Sequence, residues 1–535
     1  MSDHRQWRRL TALLMVGGLL LAACSSSDDG DGASPGVTGS SSDTSEATDV
    51  DPNGVLKIGY DISQSGVDWD FNPLRFVTGS ANSNDSLWSL PYARLMKPTL
   101  EGKNEPDLAT SVDIVDKNTI NVTLRDGLKF SDGSALDANA VKASYEAVLA
   151  AKADNTNGYL PPFYSLQTIT VNSPTTLSLG FPDGTAPSWS DQYVSTWGGS
   201  IFKFGGPDPL NPIGAGPFVV TQSTPGETYT MKKNTNYWNA DAVRIAEVQI
   251  QEVVFAQPQS GLAAVQSGQV DVTFSEPNLI STMTGNIEPN VKVSPNSAAM
   301  MHFCKSSGPL ADAKVRQAIN KGLDREGISE AVYYGTAEPM TEPWPEGNAL
   351  FNPEAAETLA YDPDGAKQLL TEAGYPNGFS IDMYPIQAFG LTDTAVVVKD
   401  QLSKIGITVN IVATTDYVNQ YLMPNTPGIG LYPSNTPGPQ KLVSWTGTSM
   451  GNVCDYSNPE IDKLIQDVSG VSQQSDEAVD LWHQIDTFVT DEALSGFIVF
   501  TASIGAVNTD RVGNVVAWPL GNYFIPDVTQ SYIKS

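Results

Sequence analysis

Serine, histidine and acidic side chains carry most hydrolytic chemistry, and one stretch of this 535-residue chain has the spacing for it. Gly447-Thr448-Ser449-Met450-Gly451 fits the Gly-x-Ser-x-Gly elbow, in which a strand-to-helix turn lifts the serine above a sheet. The residues that follow, Asn452 to Ser457, read as a loop, and only His483 lies downstream, in a helical pattern beside Trp482. No catalytic triad is expected, and no enzyme. Asp49-Val50-Asp51-Pro52-Asn53-Gly54 begins like a calcium loop, but Tyr60 occupies the twelfth position, where a bidentate acid is required. Besides His4, the histidines are His302 and His483, too few on their own for a transition-metal site. Acids or the bound solute would have to complete one. No Gly-rich loop ends in Lys-Ser or Lys-Thr, so nucleotide hydrolysis is not expected, and neither is any cofactor.

Cys24 has a different chemistry. Arg5, Arg8 and Arg9 precede an apolar or small run from Leu10 to Ala22, shorter than the about 20 residues a membrane span needs. Leu21-Ala22-Ala23-Cys24 resembles the lipobox of bacterial lipoproteins, which implies cleavage before Cys24 and a lipid on its thiol. Residues 25–53 are Ser, Asp, Gly and Thr with hardly an apolar side chain, the composition of a flexible tether. The expected location is the cell envelope, lipid-anchored to the outer face of the bacterial cytoplasmic membrane. Cys304 and Cys454 are then a pair in an oxidising compartment, where an even count favours a disulfide. The alternative is two small buried residues, since free cysteine packs as a hydrophobe.

Losing residues 1–23 leaves 27 basic and 59 acidic residues, a net charge of −32. Such a surface repels phosphate backbones and anionic headgroups, so nucleic acid is not an expected partner. The remaining length exceeds a single core and calls for two or three lobes.

Helical and strand patterns alternate along it, an α/β arrangement. Asp137 caps a helix carrying Val141, Tyr145, Val148 and Leu149 on one face. Gly261 to Ser267 reads as a helix stopped by Gly268, and residues 270–274 as a strand. Asp312 caps a helix with Val315, Ala318, Ile319 and Leu323 on one face. Asp362-Pro363 opens another that Gly374 ends. Ala395 to Ile405 is helical, Gly406 stops it, residues 407–412 are a strand, and a last helix starts at Asn458-Pro459-Glu460.

Seven segments in order resemble the peptide/nickel-type extracellular solute-binding proteins of ABC importers. They are LRDGLKFSDGSALDANAVKASYEAVL, NPIGAGPFVV, MKKNTNYWN, GLAAVQSGQVDV, ADAKVRQAINKGLDREGI, YDPDGAKQLLTEAGYPNGF and NVCDYSNPEIDKLI. The resemblance runs from about Val55 to the C-terminus. It implies a two-lobed periplasmic-binding-protein clamshell of the three-subdomain type, with two hinge strands. The implied divisions are a signal peptide (1–23), a lipidated cysteine and tether (24–53), a first lobe of two subdomains (54–300), a second lobe (301–504) and a return to the first lobe (505–535). The chain would cross the hinge near Ala299–Phe303 and return near Ser503–Asn508. Gly214, Gly216 and Pro217, and the turn at Asp132-Gly133, are expected to be structural, and Arg316 to make an inter-element or surface ion pair.

In this family the pocket lies between the lobes, which makes cleft-loop and hinge-strand residues the candidates. Trp69 and Trp88 are assigned either to the pocket wall or to core. Met300, Met301 and His302 lie on the crossover strand, and alternation lets at most two of them touch solute. Tyr432, Asn435, Trp445 and Asn452 are the second-lobe candidates, and a Cys304–Cys454 disulfide would stiffen that wall. Peptide binders of the family carry a Trp-x-x-Asp stretch whose aspartate pairs with the peptide α-ammonium. Residues 430–435 match that region and lack both residues. Ser434 or Asn435 cannot replace the charge-assisted bond, worth about 1.5–3 kcal/mol.

The expected function is capture of a peptide-sized or peptide-like solute, with a blocked or absent amine, for delivery to an ABC permease by a monomeric receptor. Two alternatives stand beside it, a surface sensor or adhesin using the same clamshell, and nickel or metal-chelate uptake with His302 or His483 in the cleft.

Overall fold

Short runs of β-branched and aromatic residues between Gly, Pro and Asn become strands here. The computed structural model describes residues 49–60, 71, 85–99, 103–151, 161–203, 213–224, 227–253, 258–414, 416–434, 445, 452–473, 475–519 and 524–535. Cys24, Trp69, Asn435 and Gly447–Gly451 lie outside the described residues.

Among those residues one sheet has eleven strands. They are β1 (Val55–Tyr60), β2 (Phe218–Thr224), β3 (Thr228–Lys233), β4 (Glu247–Glu252), β5 (Val272–Phe274), β6 (Ile287–Phe303), β7 (Glu338–Pro339), β8 (Phe379–Pro385), β9 (Ile407–Ile411), β10 (Ile429–Ser434) and β11 (Ser495–Asn508). Their order is β2-β3-β4-β1-β5-β11-β6-β10-β8-β9, with β7 paired to β11. β1 lies parallel to β4 and β5, and β8 parallel to β9 and β10. The helices that matter below are α1 (Ala138–Ala150), α2 (Ala186–Tyr193), α3 (Pro258–Gln266), α4 (Ala313–Lys321), α5 (Arg325–Val332), α6 (Pro363–Glu372), α7 (Leu391–Ser403), α8 (Pro459–Ser469) and α9 (Asp476–Asp491).

Local signals place most helix ends. Asp137, Asp312, Asp362 and Asn458 each accept from backbone N–H groups in the first turn that follows, as N-caps do. Gly268, Gly374 and Gly406 follow α3, α6 and α7 with φ of +74°, +90° and +95°. Helix α7 begins four residues before the expected Ala395, because Gly390 leads in and Asp393 sits in its first turn, where the helix dipole favours an acid.

The first lobe builds its core around β1–β5. A separate four-stranded antiparallel sheet (Ala109–Asp116, Thr119–Leu124, Thr168–Ser173, Thr176–Gly180) carries α1 and α2 and forms the second subdomain. Between them Tyr145, Phe163, Trp189 and Tyr193 meet edge-on or tilted, with ring centroids 5.2–5.7 Å apart. Gly214 and Gly216 are required by close approach, since a Cβ there would sit 1.9 Å from Pro91 O and 2.6 Å from Leu90 O. The C-terminal segment returns to this lobe, where Ile533 packs beside Gly54 and its carbonyl accepts from Asp51 N. Asp49–Asn53, expected in the tether, therefore belong to the folded unit that starts at Asp49.

The second lobe covers both faces of its half-sheet. Helices α4–α7 pack on the face that carries Ala299, Met301 and Phe303, and α8 and α9 on the face that carries Met300. The buried Arg316 of α4 donates to the carbonyls of Leu310, Ala311, Glu492 and Ala493, and its Nη2 lies 3.3 Å from the Glu492 carboxylate. It clasps three segments together.

β6 and β11 are the strands that pass between lobes. Their ladder is regular up to Val293–Ala502 and resumes at Ala298–Phe500, so four residues of β6 oppose Thr501 alone. This irregularity marks the crossing at residues 294–297 and Thr501, earlier in each strand than the expected 299–303 and 503–508. Beyond it, residues 298–303 already pair with β10 inside the second lobe.

Candidate functional site

The strand directions bring six carboxyl ends toward one junction. β1, β4 and β5 end there from the first lobe, and β8, β9 and β10 from the second. Ligand crevices in open α/β sheets lie outside such ends, where loops rather than paired backbone meet the solvent. A cavity of about 310 Å³ occupies this junction beside the crossing strands.

Each lobe contributes a distinct wall. From the first come Phe274, Ser275 and Glu276, which continue from β5. The crossing contributes Ser297, Ala298, Ala299, Thr501 and Ala502. From the second come Tyr333 and Tyr334 after α5, Phe389 and Asp393 around the start of α7, and Pro433 of β10. Tyr333 is fixed by a 3.1 Å hydrogen bond with Thr394 Oγ1, and burial pushes its phenol up to about 12. Partial burial raises the Glu276 carboxyl above its ordinary value, and Asp393 across the junction raises it further. Tyr334 and Phe389 hold left-handed φ values of 54° and 56°, uncommon for bulky side chains and typical of loops shaped around a site.

The described residues among those anticipated from the sequence fall elsewhere. Trp88 is a core residue, 7% exposed, edge-on to Phe71 at 5.5 Å and stacked on Tyr92 at 6.0 Å. Met300, Met301 and His302 do not line the cavity, because each step along β6 carries the chain about 3.3 Å deeper into the second lobe. The Tyr432 hydroxyl lies 3.8 Å from Met300 Sδ, and the Tyr432 ring stacks on His302 at 3.6 Å. His302 Nδ1 lies 3.2 Å from the Tyr417 hydroxyl. Burial, then Lys305, holds the imidazole at about 3, so it is neutral. Gly430 lets this happen, since a Cβ there would collide with Tyr417 and Tyr421.

Trp445 is fully buried and donates from Nε1 to Ser495 Oγ at 2.8 Å, and Asn452 donates to Tyr456 O at 2.8 Å. Both are supports of the second lobe. Cys304 and Cys454 form a disulfide with Cα atoms 5.2 Å apart. It ties the end of β6 remote from the junction to residues 452–455, beside Tyr417 and Tyr421, so the expectation that it braces the cleft wall is corrected. His483 lines a separate outer groove against Phe351 O, so neither described histidine reaches the junction and the metal-uptake alternative loses its main residues.

Sequence reasoning missed Ser275, Glu276, Tyr333, Phe389 and Asp393. The first two continue directly from an expected strand, so the carboxyl-end rule would have found them. The others needed the fold.

The chain is similar to known proteins over nearly its full length. Residues 103–440 match the bacterial extracellular solute-binding proteins, family 5 middle. Heme-binding protein A of Haemophilus influenzae is 25% identical, over 89% of this chain and 83% of that protein. The glutathione-binding protein GsiB of Shigella flexneri serotype 5b is 25% identical, over 60% of this chain and 63% of its own length. The crystal structure of the ABC transporter substrate-binding protein CtaP of Listeria monocytogenes superposes with a TM-score of 0.76 at 21% identity, covering 90% of this chain and 100% of that one. With a two-lobed α/β fold crossed by two strands and a cavity at the crossing, the chain belongs to the bacterial extracellular solute-binding proteins of family 5, the peptide/nickel-type substrate-binding proteins of ABC importers.

Proposed function

We propose that this chain is a lipid-anchored receptor, monomeric and held at Cys24 on the outer face of the cytoplasmic membrane, that captures a peptide-sized or peptide-like solute for an ABC permease. The cavity at the facing carboxyl ends carries this reading. Two cored lobes linked by the strands β6 and β11 can close around a solute there and exclude water. A cavity of this scale suits a small peptide, and one relative is named for binding a peptide, glutathione. Residues 430–435 lack the acidic partner for a peptide α-ammonium, which favours blocked or unusual termini.

Native mass spectrometry of residues 49–535, purified from the native host without refolding, tests the reading. A bound mass of peptide-like composition is expected. An empty protein that also gives no thermal shift with any peptide pool would overturn it in favour of a sensor or adhesin. For the anchor, radiolabelled palmitate should label the wild type and not Cys24→Ala, which should be released from membranes. Equal labelling of both would sink the assignment.

A further inference from the structure

The charges around the junction cavity are one-sided. Glu276 from the first lobe and Asp393 from the second both line it, and no Lys, Arg or His does among the described residues. Four aromatic rings share the wall: Phe274, Tyr333, Tyr334 and Phe389. Beside Glu276 on the first-lobe wall lies a further polar group with no partner among the described residues. Ser275 is 2% exposed, its backbone N–H donates to Ile504 O, and its hydroxyl has no hydrogen-bond partner. A buried hydroxyl without a partner is unfavourable, and Ser275 lines the cavity beside Glu276, where a ligand N–H would satisfy it.

We propose that the solute carries a cationic nitrogen, which Glu276 and Asp393 hold from opposite lobes while Ser275 Oγ accepts one of its N–H bonds. This rests on the junction cavity being the solute site. Aromatic faces and carboxylates both attract a cation, and neither suits an anion. Burial, then Asp393, raises the Glu276 carboxyl, and a cation held between the two acids would offset both effects. Because the acids belong to different lobes, bringing the lobes together is opposed without the cation and favoured with it. Closure and charge recognition are then one event. The aromatic walls fit a cation borne on an apolar body. A terminally blocked peptide with a basic side chain satisfies both this acidic cavity and the lack of an acid in residues 430–435.

Calorimetry on the folded unit 49–535 with two blocked tripeptides, Ac-Leu-Lys-Leu-NH2 and Ac-Leu-norleucine-Leu-NH2, isolates the charge. The lysine peptide should bind at least about tenfold more tightly, and the preference should shrink to about threefold or less in a Glu276→Gln/Asp393→Asn variant of unchanged melting temperature. Equal affinities, or a lysine preference that survives both substitutions, would overturn the proposal. Benzyltrimethylammonium and neutral benzyl alcohol form a second arm that does not depend on peptides. If neither tripeptide binds but the ammonium does, in a Glu276- and Asp393-dependent way, the peptide reading falls and the cation site stands. If neither the lysine peptide nor the ammonium binds, the cation site falls.

Discussion

Ser297 Oγ and Thr501 Oγ1 lie 2.8 Å apart at the point where the two crossing strands leave one lobe and enter the other. The ladder is interrupted between Val293–Ala502 and Ala298–Phe500, and this pair lies inside the gap, so the two hydroxyls bridge strands where backbone pairing lapses. A side-chain bond at this position links the hinge strands without adding rigid backbone bonds. Replacing both residues, as in Ser297→Ala/Thr501→Val, should cost about 0.5–1.5 kcal/mol in urea unfolding. It should also change solute affinity, because the hinge itself is altered. An unchanged unfolding midpoint would show that the pair is not a structural link.

The Cys304–Cys454 disulfide closes a loop across a sequence separation of 150 residues. Long closed loops gain most from cross-linking, so a Cys304→Ser/Cys454→Ser variant should lose about 2–5 kcal/mol. The bond sits at the far end of β6 from the cavity, and solute affinity of the remaining folded protein should stay within about twofold. Calorimetry under reducing and non-reducing conditions checks both halves of the prediction. A large affinity loss with little stability loss would place the disulfide at the site after all.

Arg316 serves four backbone carbonyls as well as Glu492. Arg316→Met should destabilise by about 3 kcal/mol or more, because those buried acceptors lose their donor. Arg316→Lys should rescue little of it, since an ammonium cannot reproduce the planar fork. Chemical denaturation of both variants measures the difference. Near wild-type stability of the lysine variant would refute the clasp.

His302 is neutral in the fold, with its proton affinity lowered from 6.5 to about 3 by burial and then by Lys305. The unfolded chain takes up a proton near pH 6.5 and the native chain does not until about pH 3. Its contribution is therefore present above pH 6.5 and lost as the pH falls toward 3. A His302→Gln variant should show a shallower fall in unfolding free energy across this window than the wild type. Parallel stability profiles would mean that His302 titrates normally in the native state.

Local chemistry was legible in the sequence wherever a few neighbouring residues decide the outcome. Asp137, Asp312, Asp362 and Asn458 cap helices because their side chains reach N–H groups two or three residues on. Gly268, Gly374 and Gly406 end them because the next residue must take a positive φ. The family segments were readable for the same reason, since each is a short turn, cap or strand edge. The candidate site was much less so. Trp88 has the size and type of a pocket wall, and nothing local reveals that Phe71 and Tyr92 enclose it.

The sequence by itself determined the α/β class, the order of elements, the caps and stops, and the absence of an acid in residues 430–435. Only the tertiary structure decided where the strands cross between lobes, and that decision made the site. Moving the crossing to residues 294–297 leaves Ala298 and Ala299 at the cavity while Met300 and His302 sink into the second lobe. Glu276 and Asp393 are 117 positions apart in the chain and face one cavity because opposed parallel strands and a helix start converge there. That convergence is a property of sheet topology, which no window of neighbouring residues contains.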